Sequence, residues 1–159
     1  MKGTLSVSFI FLLAIGFIEQ INGQDISIQQ KSMIEKQVDS VFHVMIKAAE
    51  SLEYDRLSEG VDDKFNAGFI VNGSYFAQYD SLINSLKYRS RGVLNQSIAL
   101  QKEKITVLSE NIVLLTAHGI SKIEASSGNS FEVKFFWSFV YEKINNNWKV
   151  IQSHQSGIR

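Results

Sequence analysis

The last third of the chain carries a stripe of aromatic residues with the two-residue period of a β-strand. From Phe131 to Tyr141 every second residue is apolar, and mostly polar residues stand between them. Successive side chains of a strand point to opposite faces, so this spacing predicts a strand with one fully apolar face. A second strand is predicted from Trp148 to Gly157, and together the two strands predict a hairpin at the centre of the fold.

The chain before this hairpin is predicted to form helices first and strands afterwards. Apolar residues recur at helical spacing over Ser27 to Ser51, which predicts a long amphipathic helix. The other predicted elements are a helix from Asp55 as N-cap to Asp62, a strand at Gly68 to Val71, a helix at Tyr79 to Arg89, and strands at Val93 to Val107 and Ile112 to Ala125. This order predicts an α+β fold, with N-terminal helices packed on a curved antiparallel sheet of four long strands plus a short one.

The turn at Asn145 and Asn146 predicts a register for the hairpin. A two-residue type I′ turn, which Asn tolerates, places Glu142 opposite Lys149 and so pairs opposite charges. The same register predicts three further pairs: Tyr141 with Val150, Phe139 with Gln152, and Trp137 with His154. The hairpin is therefore expected to bring aromatic and polar side chains together on its inner face.

The segment Met1 to Gly23 has the layout of a secretory signal peptide. Lys2 precedes a mostly apolar run from Leu5 to Ile18, and a short polar stretch ends at Gly23. The run is shorter than the roughly 20 residues that span a bilayer, so cleavage is predicted, with an uncleaved anchor as the alternative. We expect residues 24–159 to be the mature domain, secreted or periplasmic and free of the membrane after cleavage.

Composition excludes several classes of protein. The chain has no cysteine, so it cannot carry a lipoprotein anchor, a disulfide framework or a thiolate site. Its formal net charge is +0, with no cluster of Lys and Arg, so a nucleic-acid-binding surface is not expected. With 45% hydrophobic residues, the domain is expected to be held together by its core.

The order of these elements and the closing block from Trp148 to Gly157 resemble the nuclear transport factor 2-like (SnoaL-like) superfamily. The block is similar to the end of the calcium/calmodulin-dependent kinase II association domain, with a Trp, a hydrophobic pair, a His and a Ser-Gly in the same order. The resemblance implies a cone-shaped barrel around a pocket, commonly in a dimer, in a family that includes isomerases, dehydratases and hydrolases as well as binding proteins. The arginine positions of that association-domain pocket match Phe139 and Gln155 here, so those charges are absent.

The leading functional hypothesis is an apolar pocket that binds a small apolar or aromatic ligand. The candidate ligand-binding residues come from the predicted cavity mouth and from the hairpin: Tyr75, Tyr79, Trp137, Phe139, Gln152 and His154. Phe136 and Val140 would leave apolar surface on the opposite face of the sheet, which predicts a homodimer. No cofactor is expected.

Two alternatives remain open from the sequence. The first is an enzyme that transfers protons, with His154 or Asp80 as base and Tyr75 or Tyr79 polarising a carbonyl; its candidate catalytic residues are His154, Asp80 and Tyr79. The second is an interaction module whose cavity is filled. No metal is expected, because His118 and His154 supply only two ligands where zinc takes three or four.

Overall fold

The computed structural model describes residues 26–158, which fold into helices followed by a sheet. The elements are α1 (Ile28–Glu50), α2 (Tyr54–Ser58), β1 (Phe69–Val71), β2 (Ser74–Phe76), α3 (Tyr79–Arg89), β3 (Val93–Val107), β4 (Ile112–Ala125), β5 (Ser130–Ile144) and β6 (Asn147–Ile158). The predicted α+β class is confirmed, and α3, β3 and β4 have the predicted bounds. The predicted signal peptide lies outside the described residues.

Helix α1 matches the predicted first helix at both ends. The Ser27 hydroxyl accepts the Gln30 backbone N–H at 3.2 Å, and the Gln30 side chain accepts the Ser27 backbone N–H at 3.0 Å. This capping box satisfies two N–H groups that have no partner within the helix. The buried residues share one side of the helix: Ile34, Val38, Phe42, Ile46 and Ala48. Within residues 26–158, no helix is both long enough and apolar enough to cross a membrane.

Helix α2 begins earlier and is shorter than predicted. It spans Tyr54–Ser58, so Asp55 lies in its first turn and the N-cap role predicted for Asp55 is wrong. The Asp55 carboxylate instead accepts a hydrogen bond from the Lys87 ammonium group of α3 at 2.5 Å. The helix ends before Asp62 because the chain joins the sheet there, where the Asp62 N–H donates to the Val150 carbonyl at 2.9 Å.

The six strands form one open sheet in the order β2-β1-β6-β5-β4-β3. The four long strands are antiparallel, as predicted. The prediction of a wholly antiparallel sheet with one short strand is wrong, since β2 is a second short strand and β1 pairs with β6 in parallel. The short strand β1 satisfies backbone groups on the outer edge of β6, which would otherwise lack partners. The edges β2 and β3 do not pair with each other, so the sheet curves without closing.

The predicted hairpin register holds near the turn. Asn145 and Asn146 have φ values of 50° and 63°, as a type I′ turn requires. Glu142 faces Lys149, and Tyr141 faces Val150. This part of the prediction is confirmed.

Beyond Val150 the predicted register is wrong, because Ile151 is an extra residue in a β-bulge. Val140 pairs with Gln152, Phe139 with Ser153, Ser138 with His154, and Trp137 with Gln155. Since a shift of one residue exchanges the two faces of a strand, Ser153 and Gln155 face inward. Gln152 and His154 therefore lie on the outer face, opposite to the prediction.

The core lies between α1 and the inner face of the sheet. The rings of Phe42 on α1 and Phe139 on β5 have centroids 5.7 Å apart, and both residues are buried. Helix α1 also covers part of the edge strand β3, where the Ile98 N–H donates to the Glu50 carboxylate at 2.7 Å. The helix thus closes one part of the concave face, and an open space remains toward the start of β3.

Candidate functional site

A cavity of about 380 Å³ lies on the inner face of the sheet. It is enclosed by the C-terminal end of α3, the starts of β3 and β5, and the end of β6. Its apolar lining includes Val71, Leu86, Val93, Ile98, Ile123, Phe131, Val133, Phe135 and Trp137. This volume is within the range of pockets that bind small molecules.

Two aromatic rings form one wall of the cavity. Phe135 and Trp137 follow each other on the inner face of β5, and their rings stack at 3.9 Å with an interplanar angle of 20°. Gly119 on β4 makes room for this stack. A Cβ atom at Gly119 would lie 2.7 Å from the Phe135 ring and 2.1 Å from the Ala99 carbonyl oxygen. The wall is therefore a flat aromatic surface whose position depends on a glycine.

A few polar groups interrupt this apolar lining. The Gln155 amide donates to the Ser153 hydroxyl at 3.2 Å, which orients the Gln155 side chain beside Trp137. Arg89, at the C-terminal end of α3, also lines the cavity and is exposed, so it is the source of positive charge at this site. None of the described residues that line the cavity is Asp, Glu or His. The site therefore offers hydrogen bonds and one positive charge, without a carboxylate or imidazole to act as a base.

Of the six predicted ligand-binding residues, the structure places only Trp137 at this cavity. Phe139 is buried in the core against Phe42. Gln152 and His154 are on the outer face, because the bulge at Ile151 reverses their direction. The expectation that Trp137, Gln152 and His154 share one face is therefore corrected.

The predicted residues around α3 also lie apart from the cavity lining. Tyr79 is buried, with its ring edge against Phe69 at 5.0 Å, and burial raises the pKa of the Tyr79 phenol. Tyr75 is 63% exposed and covers Gly68, where a Cβ would meet its ring. Asp80 is exposed in the first turn of α3. The structure thus puts the three catalytic candidates in different places: His154 outside the sheet, Tyr79 in the core and Asp80 at the surface.

His154 instead belongs to a groove of about 510 Å³ on the outer face of the sheet. Two histidines, two lysines, two aromatic residues, an alanine and several hydroxyl residues line it: Lys102, Lys104, Thr116, Ala117, His118, Phe136, Trp137, Ser138, His154 and Ser156. The His118 and Phe136 rings are stacked with centroids 6.0 Å apart. His118 and His154 thus line the same groove, which lies on the face opposite to the cavity.

One cluster in residues 26–158 has the side-chain types of a metal site. Ligand atoms of Asp39, His43 and Glu103 all lie within 4.8 Å of one another. Burial, and next a hydrogen bond to Asp39, raise the pKa of the Glu103 carboxyl. His43 Nδ1 is 3.0 Å from the Asp39 carbonyl oxygen. Acidic groups often lie close together without an ion, so the cluster does not by itself indicate a metal.

Sequence reasoning missed Arg89 and Gln96 as cavity residues. Arg89 ends a predicted helix, Gln96 lies within a predicted strand, and neither belongs to a recognisable motif. Gln155 was noted only as the residue at a family position, yet it lines the cavity. The sequence carries no visible marker for its direction, and only the burial of Ser153 in the structure shows that β6 has changed phase.

Comparison with known proteins identifies the fold. No protein-family model matches the sequence, and no curated protein matches it. A candidate scytalone dehydratase from Novosphingobium aromaticivorans superposes with a TM-score of 0.75 at 7% identity, over 84% of this chain and 89% of its own. A nuclear transport factor 2-like superfamily protein from Salmonella enterica serovar Typhimurium has a TM-score of 0.72 at 13% identity, over 81% and 94%.

The resemblance to the kinase association domain also has a structural counterpart. A candidate calcium/calmodulin-dependent protein kinase II association domain from Xanthomonas campestris has a TM-score of 0.66 at 14% identity, over 76% of this chain and 85% of its own. Identities this low establish the fold alone. The chain therefore has the nuclear transport factor 2-like fold, as the closing block predicted.

Proposed function

We propose that this chain, with its nuclear transport factor 2-like fold, binds a small flat aromatic molecule in the inner cavity. The observation that carries the proposal is the Phe135–Trp137 stack, which presents an aromatic surface to a half-open cavity of about 380 Å³. Aromatic rings pair favourably in offset stacks, so a planar ligand gains more from this wall than an aliphatic one. Gln155 and Arg89 supply the polar groups that would orient it.

The charge of the cavity favours a ligand with an acidic group. Arg89 is the one charged side chain among the described lining residues. A guanidinium group binds carboxylates through paired, charge-assisted hydrogen bonds. An aromatic carboxylate would place its ring on Trp137 and its carboxylate near Arg89.

We expect indole-3-acetate to bind more tightly than indole, and Trp137→Ala to weaken its binding about tenfold or more, because the stacking surface is lost. Isothermal titration calorimetry with the purified mature chain measures both affinities. Phe65→Ala is the matched control, since Phe65 is 48% exposed and lies outside the cavity. Arg89→Gln should remove the preference for the acid, whereas Arg91→Gln should not.

The proposal fails if neither probe binds to the unmodified chain, or if Trp137→Ala and Phe65→Ala have equal effects. If neither probe binds, other aromatic acids should be screened by thermal shift before the proposal is rejected, because the two probes only represent a chemical class. Denaturing mass spectrometry of the purified protein adds an independent readout, since a co-purified small molecule identifies the ligand directly.

Catalysis has less support in this cavity than binding. One structural neighbour is named as a candidate dehydratase, but that name concerns the neighbour. The described lining residues include no His, Asp or Glu, the usual proton-transfer groups. The candidates His154, Asp80 and Tyr79 are not brought together, so the geometry favours a binding protein.

We further propose that the chain forms a homodimer through the outer face of the sheet. Phe136 is 49% exposed there, and Val140 lies on the same face. A second copy would cover this apolar surface by two-fold packing. Phe136→Glu is expected to shift a dimer toward monomer in sedimentation velocity, whereas Tyr88→Glu, at an exposed ring on α3, is not. A monomeric unmodified chain at 100 μM would contradict this proposal.

The N-terminal segment is proposed to direct export. Residues 1–23 retain the charged start, apolar run and polar end that favour a cleaved signal. The mass of the protein recovered from an exporting host tests the cleavage, and recovery of the full-length chain would contradict it.

A further inference from the structure

We propose a second ligand site in the outer groove, which binds a small oxyanion attached to an aromatic ring. The oxyanion, a phosphate or a carboxylate, would lie beside Lys102, Lys104 and His118. The ring would lie on Phe136, toward His154. The groove and the inner cavity open on opposite faces of the sheet, although Trp137 and Ser156 line both.

The strand register builds the groove from two neighbouring rows of side chains. One row crosses the sheet through His154, Ser138, Thr116 and Lys104. The next row crosses it through Ser156, Phe136, His118 and Lys102. Adjacent strands are about 4.8 Å apart, so consecutive members of each row are neighbours. In the first row two hydroxyl side chains stand between His154 and Lys104, and in the second row two rings stand between Ser156 and Lys102.

Two β-bulges turn the basic side chains toward this groove. The extra residue Gln101 in β3 places Lys102 and Lys104 on the outer face, since without it the alternation from Leu100 would point them inward. The bulge at Ile151 in β6 does the same for His154. Bulges commonly re-aim side chains next to functional sites. Here two bulges, on the strands at opposite sides of the groove, both turn basic side chains to the outer face.

The charge of the groove is complementary to an anion. None of its described lining residues is Asp or Glu. Within residues 26–158, the ion pairs do not include Lys102 or Lys104, and both side chains are exposed. Elsewhere on this face Lys122 is paired with Glu132 at 3.1 Å. An oxyanion would relieve the repulsion between two like charges on one strand face and accept hydrogen bonds from the imidazole and hydroxyl groups.

The aromatic part of the ligand has its own contact surface. Phe136 is 49% exposed at the groove, and its ring stacks with His118 at an interplanar angle of 29°. A ring attached to the oxyanion would extend this stack. Phe136 also belongs to the proposed dimer surface, so a second copy and the ring would compete for it. Phenyl phosphate or benzoate should therefore shift a dimer toward monomer in sedimentation velocity, and a dimer that saturating ligand leaves unchanged would overturn the placement of the ring on Phe136.

The test is a titration of the mature chain with phenyl phosphate, benzoate and inorganic phosphate at constant ionic strength. Calorimetry measures the affinities, and changes in the NMR chemical shifts of backbone amides locate the binding site. We expect saturable binding of phenyl phosphate or benzoate, with shifts centred on His118 and His154. The stronger of these two probes identifies the oxyanion as phosphate or carboxylate. Inorganic phosphate should bind more weakly, because it lacks the ring.

The double substitution Lys102→Gln and Lys104→Gln should reduce the affinity about tenfold or more, since it removes both charged donors. Lys134→Gln is the matched control, because Lys134 is an exposed lysine on β5 of the same sheet that does not line the groove. Arg89→Gln should leave the affinity unchanged, which separates this site from the inner cavity. The inference is overturned if neither ring-bearing probe saturates, if Lys134→Gln costs as much as the double substitution, or if the shifts centre on Phe135 and Gln96, which line the inner cavity and not the groove.

Discussion

Gly119→Ala is expected to lower the free energy of unfolding by about 2–4 kcal/mol. The new methyl group would meet the Ala99 carbonyl oxygen at 2.1 Å and the Phe135 ring at 2.7 Å. The first contact is with backbone of the neighbouring strand, which cannot rotate away as a side chain can. Strand β3 must therefore separate from β4, or the backbone of both strands must shift. Equilibrium denaturation in urea, read by far-UV circular dichroism, measures the loss.

Gly128→Ala provides the control for adding a methyl group to a glycine. Gly128 has a φ of +83° and no atom within 4 Å of the added Cβ, so its cost is backbone strain alone, about 1–2 kcal/mol. The Phe135–Trp137 stack should change in Gly119→Ala and persist in Gly128→Ala, which near-UV circular dichroism detects. Equal losses of stability in the two variants would show that the strands do not approach as closely as described.

The helices and strands could be predicted because their residues repeat with a simple period. The apolar spacing in α1 and the Ser27 cap fix both ends of that helix without tertiary information. Helix α3 likewise ends before Gly92, whose φ is +86°. The Asn145-Asn146 turn fixed the hairpin register nearby, because only a few backbone conformations join two strands so closely.

The bulges could not be predicted in the same way, and the errors in the site follow from them. The sequence around the extra residue Ile151 is still apolar and typical of a strand, so the two-residue alternation of side chains shows no interruption at the bulge. The choice between a bulge and a regular strand depends on the partners: β6 must fit β5 on one side and β1 on the other. Counting by two beyond Val150 therefore put His154 on the wrong face.

The cavity lining depends on distances that a single sequence does not contain. Trp137 was predicted because the aromatic stripe defines one face of β5 by itself. Arg89 and Gln96 reach the same space only because α3 leads into β3 through a tight turn at the sheet edge. A helix-end arginine is most simply a solvated charge, so its role emerges only when the opposite wall is known.

Phe42→Ala is expected to lower the free energy of unfolding by about 3–5 kcal/mol. Phe42 is 1% exposed and contacts Phe139 across the boundary between α1 and the sheet. Removing the ring leaves a hole between a helix and a strand that are each fixed by other contacts, so the hole cannot fully collapse. The urea concentration at the midpoint of unfolding should fall, while the slope of the free energy of unfolding against urea concentration stays unchanged.

Val44→Ala tests whether this cost belongs to the buried stripe and not to the helix as a whole. Val44 is 55% exposed and two residues further along α1, so its substitution should change stability by less than about 0.5 kcal/mol. If the two variants lost equal stability, α1 would not be held on the sheet by its Phe42 face. A large loss of stability in Phe42→Ala alone, with ligand still bound at Trp137 in the folded variant, would show that Phe42 stabilises the fold and does not take part in binding.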